Sequence, residues 1–261
     1  ALPICLAELP HMRDPLMLAA MNVMAASNLA VYTVAPRLFP LYVIRQVLLA
    51  IEHGNAPHSP YAYALYGLVL CAVVGDLDAG YEWGQLGLGL LDALEASRFR
   101  AKTLFTVQAF IQHWKAHAHE TLPLGRAAYG SGLETGDLEF AALGTVGYAA
   151  YGFHSGRELP ALEREVAAFA ETVAALKQET SLFRLRIYRQ ACQNLFGQAE
   201  DVRQLRGAIY DAGESLAYHV EQHDGTSAFA VYLCQLMLCL LFHDTAGALA
   251  NAELAEQSID L

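Results

Sequence analysis

The chain has 261 residues, 55% of them hydrophobic and only 16% charged, with a net charge of −11. Soluble domains usually carry about 25% charged residues, so much of this surface must be buried, between elements or against something else. The acidic balance repels nucleic acid, and no basic face is long enough to override it.

The stretch 1–14, ALPICLAELPHMRD, has no basic region followed by an apolar core, so a signal peptide is not expected. Without an initiator Met it reads as cut from a longer chain, or processed. Beyond it, apolar residues recur at three- and four-residue spacing, segment after segment. The pattern predicts helices near 14–30, 38–53, 60–74, 77–95, 98–116, 121–134, 138–154, 158–177, 180–196, 201–220, 226–242 and 245–258. Breaks carry Pro, Gly, Asn or Asp, as at Ala35-Pro36, Gly54-Asn55, Gly136-Asp137, Gly197 and His223-Asp224-Gly225. No period-two alternation persists, no Asn-Gly occurs, and the Asp224-Gly225 pair is not flanked by alternating segments as a hairpin turn would be. No long linker interrupts the series, so a single domain over 1–261 is expected. Mean hydropathy is +0.27, but no uninterrupted apolar run reaches the roughly 18 residues of a spanning helix. The longest, Ala228 to Phe242, is broken by Gln235, and no membrane span is expected.

The breaks repeat. Asp76, Glu120, Arg157, Asp201 and Asp244 close successive intra-pair turns at intervals of 44, 37, 44 and 43 residues. Small residues seven apart follow the clearest turns, at Gly80 and Gly87 and again at Ala248 and Ala255. Residues so spaced share a helical face and allow close helix approach. The expected fold is all-α: a right-handed α-solenoid of about twelve helices in antiparallel pairs, with a period longer than the ~34 residues of a tetratricopeptide repeat. Glycines 67, 80, 84, 87, 89, 144, 147 and 152 fall inside helical windows, each costing about 1 kcal/mol of propensity. Close packing is the ordinary way to offset that cost; lining a groove is the sharper one.

Few motifs carry chemistry. Gly84-Gln85-Leu86-Gly87-Leu88-Gly89 follows no strand, and no GxxxxGK[ST] or GxSxG occurs. Glu163 and Glu165 do not share a helical face. His113 and His117 are one turn apart on one face, with His119 following, a workable metal-ligand spacing; Trp114 stands where HExxH proteases have Glu. The simpler alternative is histidines at a helix C-terminus, favoured there by the dipole. Arg184, Arg186, Arg189, Arg203 and Arg206 form a local basic patch able to receive an acidic partner or a phosphate, or else a solvated face paired with Glu179, Glu200 and Asp201. Tyr63, Tyr66, Tyr81 and Trp83, with Tyr61 nearby, are candidates for a groove, although such spacing ordinarily marks core; Tyr148, Tyr151 and Phe153 form a second cluster. Cys5, Cys71, Cys192, Cys234 and Cys239 show no CxxC pairing and read as free thiols of a reducing compartment.

The chain resembles the helical region of very large bacterial and fungal sensor kinases. The resemblance rests on ELPHMRDP (8–15), SPYAYALYGLVLCAVVGDLDAGYEWGQLGL (59–88), AFIQHWKAHAHETL (109–122), YGSGLETGDLEFA (129–141), LKQETSLFRLRIYRQACQNL (176–195) and QLMLCLLFHDTAGALANAELAE (235–256). In those proteins a Ser/Thr-kinase-like domain and a P-loop ATPase module precede the helical segment, and GAF and histidine-kinase domains follow it. The resemblance implies a cytoplasmic, non-catalytic regulatory segment that binds protein partners, the flanking domains among them, with no cofactor and no catalytic residue in this stretch. The arginines at 184, 186 and 189 depart from a more neutral family pattern. A small-molecule pocket on the third and fourth helices, a homodimeric scaffold using the surplus apolar surface, and, more remotely, a metalloenzyme are the competing expectations.

Overall fold

The computed structural model describes residues 6–259; Cys5 lies outside them. The fold is all-α, 78% helical, with no β-strand among the described residues. Twelve α-helices follow in order: α1 (Pro15–Val34), α2 (Phe39–His53), α3 (Ser59–Val69), α4 (Leu77–Ala93), α5 (Ser97–Phe110), α6 (Leu122–Thr135), α7 (Leu138–His154), α8 (Leu159–Ala175), α9 (Glu179–Leu195), α10 (Ala212–Glu221), α11 (Gly225–Leu241) and α12 (Thr245–Ser258). Aspartates start five of them. Asp14, Asp76, Asp211, Asp224 and Asp244 each accept a hydrogen bond from a first-turn backbone N–H, satisfying donors a helix start would otherwise orphan. α3 runs on into a π-turn, Leu70–Val74, closed by Gly75 at φ +79°.

Where the sequence leads us to expect one domain, the chain clusters into two compact units, residues 1–151 and 152–261, with the boundary inside α7. In the first unit α3 packs on both α2 and α4, and α5 on α6. Its cores gather Phe39, Val43, Tyr61, Leu65, Phe99 and Phe140 in one cluster and Val47, Ala50, Tyr63, Trp83, Leu90 and Leu94 in another. Glycines let the helices meet. A Cβ on Gly87 would lie 2.6 Å from the Pro60 carbonyl oxygen, and one on Gly67 would lie 2.7 Å from that of Gly80. Gly125 and Gly144 oppose each other across α6 and α7 in the same way. Gly89 instead faces open space. Between α1 and α2, the side chains of Asn28 and Gln46 exchange hydrogen bonds of 3.0 and 2.8 Å in full burial.

In the second unit α9 packs against α8 and α11, and α11 pairs with α12. Leu162, Val166, Leu182, Leu185, Ile187, Cys192, Val231, Cys234 and Leu238 fill its core. The helix expected at 201–220 forms only from Ala212; residues 196–211 run irregularly across the unit. Buried amides hold them. Asn194 donates to the Val202 and Gln204 carbonyls at 3.0 and 2.6 Å. The Gln190 side-chain oxygen accepts the Ile209 and Tyr210 amides at 3.3 Å each, and Gln235 accepts that of Leu205 at 3.2 Å. Side-chain amides thus satisfy backbone groups that a helix would have satisfied itself.

α1 is a long helix of apolar and neutral polar residues. By length and composition it is apolar enough to cross a membrane, with 17% of its apolar window buried. Asn22, Ser27, Asn28 and Thr33 break the apolar run, which hides a 20-residue helix with no charged residue.

Candidate functional site

A groove of about 310 Å³, lined mainly by apolar side chains, opens in the first unit. α2 supplies Ile44, Val47, Leu48 and Ile51, spaced i, i+3, i+4, i+7 and hence on one face. α3 and its π-turn supply Tyr66 and Leu70, and α4 supplies Ala79 and Trp83. Trp83 anchors the floor, edge-on to Tyr66 and Tyr63 with ring centroids 4.6 and 5.5 Å away. Tyr63 is fully buried and donates to Asn55 Oδ1 at 2.6 Å, while Asn55 donates on to the Leu6 carbonyl at 2.7 Å. Burial pushes the Tyr63 phenol far above its usual range, so it stays a neutral donor and the floor is fixed.

Of the four predicted groove residues, the structure thus brings Tyr66 and Trp83 to the lining. Tyr63 supports them from behind. Tyr81 packs elsewhere, against the cluster of Ala64, Val107 and Ile111. The helical glycines near the groove serve helix contact: Gly84 meets the Ile111 side chain and Gly87 meets α3. The four α2 residues share a face by their spacing alone, which is the sequence signal for them.

The histidines do not form a ligand set. α5 ends at Phe110, and two 3₁₀ turns, Gln112–Trp114 and Ala118–Thr121, replace the expected continuation to 116. His113 and His117 therefore do not share a helix face. His113 Nδ1 sits 2.9 Å from the Tyr151 hydroxyl, and burial lowers the pKa of its imidazole. His117 caps the second turn, its Nδ1 accepting the His119 amide at 3.2 Å while Glu120 reaches back to the His117 amide. Among the described residues no three of His, Cys, Asp and Glu gather as a metal site would require.

The arginines disperse into ion pairs. Arg184 donates to Asp224 at 2.8 Å and Ser227 at 3.1 Å; Arg189 chelates Glu163 at 2.9 and 3.1 Å. Arg203 pairs with Asp201 at 3.0 Å and Asp244 at 3.3 Å, and Arg206 approaches Asp211 at 3.9 Å. Of the predicted acidic partners only Asp201 is used. Arg186 lines a shallow cleft of about 230 Å³ with Phe183, Tyr210, Asp211 and Glu214, so carboxylates accompany the one arginine left facing it. Next to this cleft, buried His219 lies between the Tyr210 hydroxyl, 3.1 Å away, and Asp224, 3.5 Å away. Burial alone would raise the pKa of Asp224; the nearby His219 imidazole and the hydrogen bonds from Ser227 and Arg184 outweigh it and hold the carboxyl well below the usual range. This network ties α9, α10 and α11 together. Cys71, Cys192, Cys234 and Cys239 are buried free thiols; burial pushes Cys192 up to about 12, so it stays a protonated thiol.

Compared with protein-family models, with curated proteins and with solved structures, the chain matches none of them.

Proposed function

We propose that this chain is a non-catalytic interaction and regulatory module of a cytoplasmic sensor kinase, built as a right-handed superhelix of helix pairs. It relays signals between an ATPase module and GAF and histidine-kinase domains. The observation that carries the reading is the α2–α3–α4 groove. Its lining side chains are mainly apolar, its floor is fixed by Tyr63, Tyr66 and Trp83, and Leu48 and Ile51 at its rim are about 40% exposed. Such a surface accepts the apolar face of a helix. A polar metabolite would need converging polar groups, and the lining side chains supply only the Tyr66 hydroxyl and the Trp83 indole N–H.

Seating a helix from a neighbouring domain would couple that domain to the α2–α4 hairpins, and two states binding it differently would make the coupling allosteric. The test is phosphotransfer by the full-length gene product. Leu48→Asp places a charge at an exposed rim position and leaves the core alone. We expect it to change phosphotransfer several-fold with helix content unchanged. Unaltered phosphotransfer, or a gene product without kinase domains, overturns the proposal.

A further inference from the structure

α1 is amphipathic in an unusual sense, because neither of its faces carries charge. Its inner face buries Met21, Ala25 and Asn28. Its outer face exposes Leu16, Ala19, Val23, Ala26, Ala30 and Thr33, at alternating spacings of three and four residues. That is the seam periodicity of paired helices. Leu16 and Val23 are 68% and 66% exposed, and Val34, one turn on from Ala30, is 84% exposed. α2 continues the surface with Leu38 and Leu41, at 60% and 66% exposure. Soluble helices put charge on such faces; here α1 offers only Asn22 as an exposed polar side chain between Ala19 and Ala26, and a largely apolar exposed face marks a docking site.

A second copy of the same helix fits this seam. Reversed about the midpoint between Met24 and Ala25, the seam superimposes on itself: position 16 meets 33, 19 meets 30, and 23 meets 26. Large side chains then fall opposite small ones, Leu16 on Thr33 and Val23 on Ala26, while Ala19 and Ala30 let the backbones approach. A twofold interface requires this kind of self-complementarity, with i on j and j on i; a lipid surface does not. Charge agrees. Residues 15–53 carry only Arg37, Arg45 and Glu52, net +1, in a chain of net −11, so two copies meeting here keep their acidic surfaces apart. The area also suffices. Twenty residues of helix span about 30 Å, and a hairpin of helices about 10 Å apart is ~20 Å wide. That gives ~600 Å² before side-chain relief, close to the ~800 Å² per partner of a standard interface.

We infer that the outer face of α1, flanked by α2, is a homodimer interface in which two α1 helices pair antiparallel across a twofold axis, Val23 of each copy on Ala26 of the other. The inference rests on reading the chain as an interaction module but uses a different face from the groove. Phosphotransfer altered by Leu48→Asp and mass altered at α1 therefore fail independently.

The test is solution mass across a concentration series, read by light scattering. The chain should run at twice its 28.4 kDa. Val23→Glu should bring it to one chain, as should Ala26→Glu, which sits on an exposed position and leaves the fold intact. The double variant Val23→Lys with Ala26→Glu places opposite charges across the axis and should re-form the dimer. A wild-type monomer at about 100 µM, a hundredfold above a micromolar Kd, overturns the inference. So does a dimer indifferent to both glutamates. Flotation with phosphatidylcholine–phosphatidylglycerol vesicles that Val23→Glu abolishes would assign the face to lipid instead, and overturns it equally.

Discussion

The two units solve the same packing problem with opposite chemistry. In the first, α3 and α4 meet through Gly67, Gly80 and Gly87, each within close reach of backbone atoms of the facing segment. In the second, α9 and α11 carry Gln190, Asn194 and Gln235 into the interior, and these amides hold a non-helical segment between the helices. Glycine contact is economical but intolerant, since the atoms it meets are backbone and have nowhere to go. Amide contact leaves room for irregular chain, provided every polar group it brings inside is satisfied.

The contrast can be broken at its stiffest point first. Gly87→Val drives side-chain carbon into the Pro60 carbonyl, and overpacking against backbone should cost about 3 kcal/mol or more, read by denaturant unfolding. Gln190→Leu should cost about 2 kcal/mol, because the Ile209 and Tyr210 amides and Asn194 Oδ1 lose their partner in a buried site. Its signature is local: hydrogen exchange should accelerate over 199–211 before the rest of the unit opens. The smallest effect has the opposite sign. Gly89 lies on α4, two residues from Gly87, yet faces open space. Gly89→Ala should stabilise by about 0.5–1 kcal/mol through helix propensity and the unfolded chain. If Gly87→Ala were to stabilise as well, close contact would not be what holds glycine there.

Much of this architecture is legible in the sequence, because helix periodicity and turn residues are local. The expected segments at 38–53, 138–154, 226–242 and 245–258 fall within a residue or so of α2, α7, α11 and α12. The failures have long-range causes. The periodicity over 201–220 is real, but Asn194, Gln190 and Gln235 compete for its backbone, and they act from 8 to 30 residues away. The turn at 111–121 breaks an apparent HxxxH face because Glu120 and His117 cap each other. At the groove, aromatic clustering finds Tyr66 and Trp83 but cannot separate lining from core, so Tyr63 and Tyr81 look equivalent until packed. The outer face of α1 escapes a search for unbroken apolar runs, because four neutral polar residues interrupt a helix that lacks charge altogether.

The aspartates that begin α11 and α12 each serve two masters. Asp224 caps α11 through the Ser227 amide while receiving Arg184 from α9. Asp244 caps α12 through the Gly247 amide while receiving Arg203 from the irregular segment. A helix start is thereby made conditional on an element some forty residues earlier. Such coupling merges what would otherwise be separately fraying turns into one cooperative opening unit. The second unit should therefore lose its exchange protection at the starts of α11 and α12 in step with α9 and the 199–211 segment, as a block rather than from its end inward.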